Sequence, residues 1–303
     1  MVYLEETILP RLFPDILCNH ARLNRRRMKI VMPEDSVFIT ILRDPVATFV
    51  SAFESMDVAK LIQIKGENVP KQIENFFHNI PVHFSDIHEK IGVSASLLRN
   101  GQFFDLGFQM TKVKTQKQIF PMIKKLDQTF DHVLIAEYFD ASLILMRRKF
   151  CWDLEDVVYL KLMEREAGGI RLSTTAEDKI RLWTEADGLL YEYFKQKLLK
   201  EISKQGQDFF DEVDQLKELN RRIKEKCIAS VLFETAAGSR FTKIRKYLLR
   251  AKVNYKNKME CCRMVRDEKD FLDYHRLKQQ FPTNGSKLNF LMGCRFEKKL
   301  KGI

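Results

Sequence analysis

A chain of 303 residues with 45% hydrophobic content is long enough to bury a substantial core, as one large domain or one domain with an appendage. Lysine and arginine outnumber aspartate and glutamate by 52 to 41, and the net charge of +11 favours anionic partners such as phosphorylated small molecules, acidic lipids or nucleic acid without choosing among them. No run of about 18 apolar residues occurs, so no membrane-spanning helix is encoded in the sequence shown, and the opening MVYLEETILPRLF lacks a basic n-region and a small-residue cleavage site.

The first clear element in chain order is Val37 to Leu42, a short apolar, β-branched run that reads as a buried strand and stops at Arg43-Asp44-Pro45. After it, Phe49, Phe53 and Met56 recur at helical spacing, and Pro45 suits a first helical turn because its missing N–H has no partner there. A second strand-to-helix unit follows, with a strand over His132 to Ala136 and a helix over Ala141 to Phe150. Two such units predict an α/β fold with a parallel sheet and covering helices. From Thr175 to about Lys226 the pattern is helical and interrupted near Gly206. Leu198, Leu199, Ile202, Phe209, Phe210, Val213, Leu216, Leu219 and Ile223 are its expected core-facing positions. Beyond Cys227 the composition shifts, and Arg240 to Lys258 holds eight basic residues and no acidic one. The six cysteines, Cys18, Cys151, Cys227, Cys261, Cys262 and Cys294, have no CxxC spacing and no nearby histidine partners, so no metal site is expected. Their even number permits disulfides without requiring them. Asn284-Gly285-Ser286 is a glycan acceptor only if the chain enters a secretory lumen.

The chemically informative stretch runs from Phe38 to Phe53. A strand end delivers Arg43 to the carboxyl edge of the sheet, where open α/β folds bind ligands, and Ser51 follows two turns into the helix. Arg43 can offer a forked pair of donors to a phosphate, and Ser51 can add a hydroxyl. Taken alone, the Arg-Asp-Pro tripeptide is better explained by an ordinary ion pair with a decorated helix.

The wider context changes that balance. The block F-I-T-I-L-R-D-P over Phe38 to Pro45, with Ser51 eight residues after Arg43, resembles the segment that grips the 3′-phosphate of 3′-phosphoadenosine-5′-phosphosulfate in the galactosylceramide and galactose 3-O-sulfotransferases. Further family-like stretches follow in order. They are Leu98-Arg99-Asn100 with Phe104-Asp105-Leu106-Gly107, Glu137-Tyr138-Phe139-Asp140 with Ser142-Leu143, Cys151-Trp152 with Asp156-Val157 and Tyr159, and Arg171-Leu172-Ser173 with Trp183, Leu189, Leu190, Tyr191 and Phe194. The likeness spans about Leu12 to Cys227. It implies a P-loop-like sulfotransferase fold with a helical C-terminal part. It also implies transfer of sulfate from that donor to the 3-hydroxyl of galactose in a glycolipid or glycan, and residence on the lumenal side of the Golgi membrane. Arg43 and Ser51 are then the cofactor-binding residues, with Arg99, Asp105 and Glu137 as scaffold. Trp152, Trp183 and the many phenylalanines read as core more readily than as sugar-stacking platforms.

Upstream, Ile16-Leu17-Cys18-Asn19-His20-Ala21-Arg22 is similar to the family's I-I-C-H-H-x-R segment, in which histidine lies near the acceptor sugar. Asn19 replaces the first histidine, so the resemblance leaves His20 as the candidate catalytic residue, orienting or deprotonating the acceptor hydroxyl. The family's 5′-phosphosulfate loop, a strand-loop-helix carrying Lys, Thr and Ser, lies well before the Arg-Asp-Pro block. Only 42 residues precede Arg43, none forms such a string, and the first glycine is Gly66. The reading is therefore a sulfotransferase domain over residues 1–227 without its donor loop and membrane anchor, as in a truncated chain, followed by a basic extension over 228–303. Two alternatives stay open: a relative that binds nucleotide or glycan without turnover, and a basic nucleic-acid-binding protein, although no nucleic-acid motif is present.

Overall fold

The computed structural model describes residues 16–17, 21–108, 115–162, 170–235, 243–252, 254–266, 272–273 and 294. The chain divides into two compact units, one of Met1–Met146 with Ile170–Gln205 and one of Arg147–Gly169 with Gly206–Ile303.

In the first unit α1 (Arg25–Val31) precedes β1 (Ile39–Leu42), which turns at once into α2 (Pro45–Ser55). Asp44 caps α2 by accepting the Ala47 N–H at 3.0 Å, and Pro45 takes the first helical position, as the sequence predicts. Three short helices follow, α3 (Val58–Leu61), α4 (Val69–Phe76) and α5 (Ile80–Ile91), then a 3₁₀ stretch over Gly92–Leu98, α6 (Gly101–Asp105) and α7 (Gln116–Asp127). The second strand, β2 (His132–Ile135), lies parallel to β1 in the register Ile39–His132 to Leu42–Ile135. α8 (Phe139–Phe150) leaves it through a single 3₁₀ turn, and α9 (Thr174–Trp183) and α10 (Glu185–Ile202) complete the unit. The fold is thus α/β, dominated by helices, with a two-stranded parallel sheet among the described residues.

Two apolar clusters hold this unit. Phe49 and Phe53 of α2 pack with Phe76 and Phe77, their ring centroids 5.2 to 5.9 Å apart, over Val58, Ile73, Ile87 and Leu98. Leu42 and Ile135 carry the sheet into the second cluster, where Ile119, Ile123 and Leu126 of α7 meet Leu190, Phe194 and Leu198 of α10. On the opposite face α8 lies over β2: buried Ser142 accepts His132 Nε2 on its carbonyl at 3.0 Å in one tautomer, and its hydroxyl accepts the Ile135 N–H at 3.2 Å. Among the described residues nothing equivalent covers β1 there. The expectation of a buried strand over Val37 to Leu42 is corrected accordingly, since Ile39 is 39% and Ile41 49% exposed and only Leu42 is buried.

In the second unit α11 (Gln207–Cys227) runs directly into β3 (Ile228–Thr235), which pairs antiparallel with β4 (Lys243–Leu249), and α12 (Tyr255–Val265) follows. Disulfides join Cys227 to Cys261 and Cys262 to Cys294, so two adjacent cysteines of α12 are tied to two different segments. Leu160, Ile228, Tyr247 and Leu249 pack around these bridges, and the Tyr247 hydroxyl donates to the Lys161 carbonyl at 2.9 Å. Arg147 and Arg148 pair with Glu212 of α11 at 2.7 and 3.0 Å. Phe209, Val213 and Leu216 are buried as expected, whereas Phe210 of α11 and Leu199 of α10 are exposed. Both exposed residues directly follow or precede a buried one on a helix whose apolar stripe is only one face wide.

Candidate functional site

The site is assembled where β1 ends. Its ladder with β2 stops at Leu42–Ile135, so the main-chain groups of Arg43 and Asp44 need partners from elsewhere. Gln102, in the first turn of α6, supplies both partners for Arg43: its Oε1 accepts the Arg43 N–H and its Nε2 donates to the Arg43 carbonyl, each at 2.9 Å. Glu137, just past β2, accepts the Asp44 N–H at 2.9 Å on one oxygen and the Tyr191 hydroxyl at 3.0 Å on the other. Burial, reinforced by the Glu137 carboxylate, raises the pKa of Tyr191, so its phenol remains a donor. Glu137 thus braces a turn through hydrogen bonds and makes no ion pair among those described.

Gln102 is itself held. Asp187, on α10, accepts the N–H groups of Gln102 and Phe103 at 3.0 and 2.9 Å, capping α6 from another helix, and its own N–H donates to Asn100 Oδ1 at 3.1 Å. Asn100 has φ +54°, a left-handed conformation that asparagine tolerates better than most residues. Asp187 is 2% exposed, and burial pushes its pKa up to about 7 against the lowering effect of the two backbone donors. Arg99 lies over the Trp183 ring, 4.4 Å from its centroid, and the indole N–H donates to the Leu98 carbonyl at 2.8 Å. Trp183 is therefore a half-buried packing element, while Trp152 in the second unit is 40% exposed.

The head groups of the two predicted phosphate ligands point to a different use. Arg43 is exposed, and among the described residues neither its guanidinium nor the Ser51 hydroxyl has a hydrogen-bond or ionic partner. Ser51 sits six residues beyond Pro45 on α2, roughly 9 Å further along the helix axis. Asp44 caps α2 at the Ala47 N–H, and its other oxygen is 3.5 Å from the exposed Arg181. His20, Cys18 and the Asn284 sequon lie outside the described residues. The neighbouring Arg22 and Leu23 are docked on α6, Arg22 Nε donating to the Phe104 carbonyl and the Leu23 N–H to the Asp105 carbonyl, both at 2.7 Å. Gly107 allows that approach: it has φ +95°, and a Cβ there would sit 2.6 Å from the Leu23 carbonyl oxygen. No cluster of three or more His, Cys, Asp or Glu side chains suited to a metal occurs among the described residues, and none of their helices is long and apolar enough to cross a membrane.

Sequence reasoning missed Gln102 and Asp187, and it placed Asn100 in a family-like stretch without assigning it a role. A carboxylate amid the apolar run of α10 and an Asn-Gly pair before Gln102 are the available signals, and neither names its partner across more than 80 residues.

Comparison with known proteins supplies the remaining observations. A family model described as galactose-3-O-sulfotransferase matches residues 4–274. Human galactosylceramide sulfotransferase is 32% identical over 216 residues, covering 71% of this chain and 50% of that protein. Mouse galactose-3-O-sulfotransferase 3 is 30% identical over 220 residues, covering 71% and 49%, and mouse galactose-3-O-sulfotransferase 2 is 29% identical over 224 residues, covering 71% and 53%. The chain spans about half the length of the curated relatives it matches. No solved structure matches it significantly.

Proposed function

The chain belongs to the galactose-3-O-sulfotransferase family, and from that premise we propose that the protein transfers sulfate from 3′-phosphoadenosine-5′-phosphosulfate to the 3-hydroxyl of a terminal galactose. The acceptor is galactosylceramide or a related glycolipid or glycan. Arg43 and Ser51 hold the donor's 3′-phosphate, and His20 takes the proton of the galactose hydroxyl. As the galactose oxygen bonds to sulfur, the bond from sulfur to the 5′-phosphate oxygen breaks, and adenosine 3′,5′-bisphosphate leaves. Positioning and electrostatics supply most of the acceleration in such a displacement. The protein works on the lumenal side of the Golgi membrane, a reading supported by the two disulfides, which persist in oxidising compartments.

The observation that carries this reading is a family match over residues 4–274 that includes an exposed arginine at a strand end, its main chain braced and its head group without a partner among the described residues. Adenosine 3′,5′-bisphosphate is expected to bind, and Arg43→Ala to weaken it by about 2 to 3 kcal/mol, the scale of charge-assisted hydrogen bonds. Calorimetry on both proteins checks this, and undiminished binding in the variant rejects the assignment. Labelled donor with galactosylceramide and with lactose, supplied to the protein, tests the activity. Transfer to neither acceptor rejects it.

A further inference from the structure

We propose that Gln102 is a positioning residue for Arg43: it grips the Arg43 main chain so that the guanidinium is presented to the nucleotide's 3′-phosphate, an inference that rests on the reading of Arg43 given above. The Gln102 amide receives the Arg43 N–H and donates to the Arg43 carbonyl, both at 2.9 Å. Those are the two groups a strand on the edge of β1 away from β2 would engage, so the side chain acts as a rung on that edge just past Leu42, where the β1–β2 ladder ends. The next N–H, that of Asp44, is held from the other side by Glu137, which Tyr191 steadies.

A glutamine has a long, rotatable side chain, and it can serve as a rigid brace only if its own backbone is fixed. Here the Gln102 N–H and the Phe103 N–H both donate to buried Asp187, and the Asp187 N–H donates in turn to Asn100 Oδ1. The main chain at residues 43 and 44 is thereby over-determined, while the Arg43 guanidinium has no hydrogen-bond or ionic partner among the described residues. That division suits a ligand-binding arginine, because a head group whose root is fixed loses less freedom when it meets its anion. A brace that merely satisfied backbone groups would make no difference to which nucleotide binds.

The test uses the 303-residue chain and calorimetry with adenosine 3′,5′-bisphosphate and adenosine 5′-monophosphate, which differ only at the 3′-phosphate. Gln102→Met keeps the length of the side chain and removes both bonds. It is expected to cut the preference for the bisphosphate by at least about tenfold while leaving affinity for the monophosphate unchanged. If circular dichroism shows that Gln102→Met is not folded, Gln102→Asn, which withdraws the amide by one methylene, is measured for the same loss. Arg43→Ala is the companion. If it abolishes the preference and the Gln102 variant keeps it, the positioning role is overturned and the role of Arg43 stands. If Arg43→Ala keeps the preference, or the unaltered chain shows none, the reading of Arg43 fails and the inference falls with it. Equal loss for both nucleotides in the Gln102 variant reduces the brace to a packing role and likewise overturns it.

Discussion

Asp187 is the residue at which burial and charge conflict most openly. An unfolded aspartate titrates near 4, whereas burial pushes this one up to about 7. Between those values the folded chain holds a proton that the unfolded chain has released, so the stability from this group is fully present below about pH 4 and is lost as pH rises through 7. Over the whole interval the effect is on the order of 4 kcal/mol. Asp187→Asn is expected to flatten the fall in stability between pH 5 and pH 8. It also costs about 1 to 3 kcal/mol at both pH values, because an amide cannot accept the N–H groups of both Gln102 and Phe103. Urea midpoints of the two proteins at each pH measure both effects, and parallel pH slopes would remove Asp187 as their source.

At the scale of the element, β1 shows how an apolar run can be only half buried. Leu42 is 1% exposed in the cluster with α7 and α10, and Ile41, next to it in sequence, is 49% exposed on the opposite face. Alternate side chains of a strand point to opposite faces, and α8 shields that face at β2, through Ser142, while no described residue does the same at β1. Leu42→Ala is therefore expected to destabilise the protein by about 2 to 5 kcal/mol, whereas Ile41→Thr should change stability by less than about 0.5 kcal/mol. Denaturant titration of the two variants checks the contrast. A large cost for Ile41→Thr would mean that this face of β1 is covered in solution.

For the whole molecule, the two tryptophans give each unit its own reporter, Trp183 in the first and Trp152 in the second. Both disulfides lie in the second unit and close spans of 34 and 32 residues, each worth about 3 to 4 kcal/mol in a chain-entropy account. Reduction is expected to lower the urea midpoint seen by Trp152 more than that seen by Trp183. Single-tryptophan variants, Trp183→Phe and Trp152→Phe, measured with and without a thiol reductant, report the two midpoints. Equal shifts would show that the bridges stabilise both units alike.

The elements legible in the sequence were those with strong local signals: β1 and β2 from short β-branched runs, α2 from Pro45 with Phe49 and Phe53, and the long helices either side of Gly206 from their 3.6-residue period. The short helices from α3 to α7 and the hairpin of β3 and β4 were not read, because a few turns or one basic stretch carry too little periodicity to stand out. Arg43 and Ser51 are named from the resemblance of one strand-turn-helix to a family segment, and the eight-residue spacing that carries the resemblance is a local property. Gln102 and Asp187 could not be named in that way. Gln102 meets Arg43 across 59 residues, and Asp187 meets Gln102 across 85. The sequence by itself thus determined the family, the strand-turn-helix and the arginine at the end of its strand. Only the tertiary structure decided what holds that arginine's main chain, because hydrogen bonds between distant segments depend on how helices pack, and no periodicity along the chain encodes their pairing.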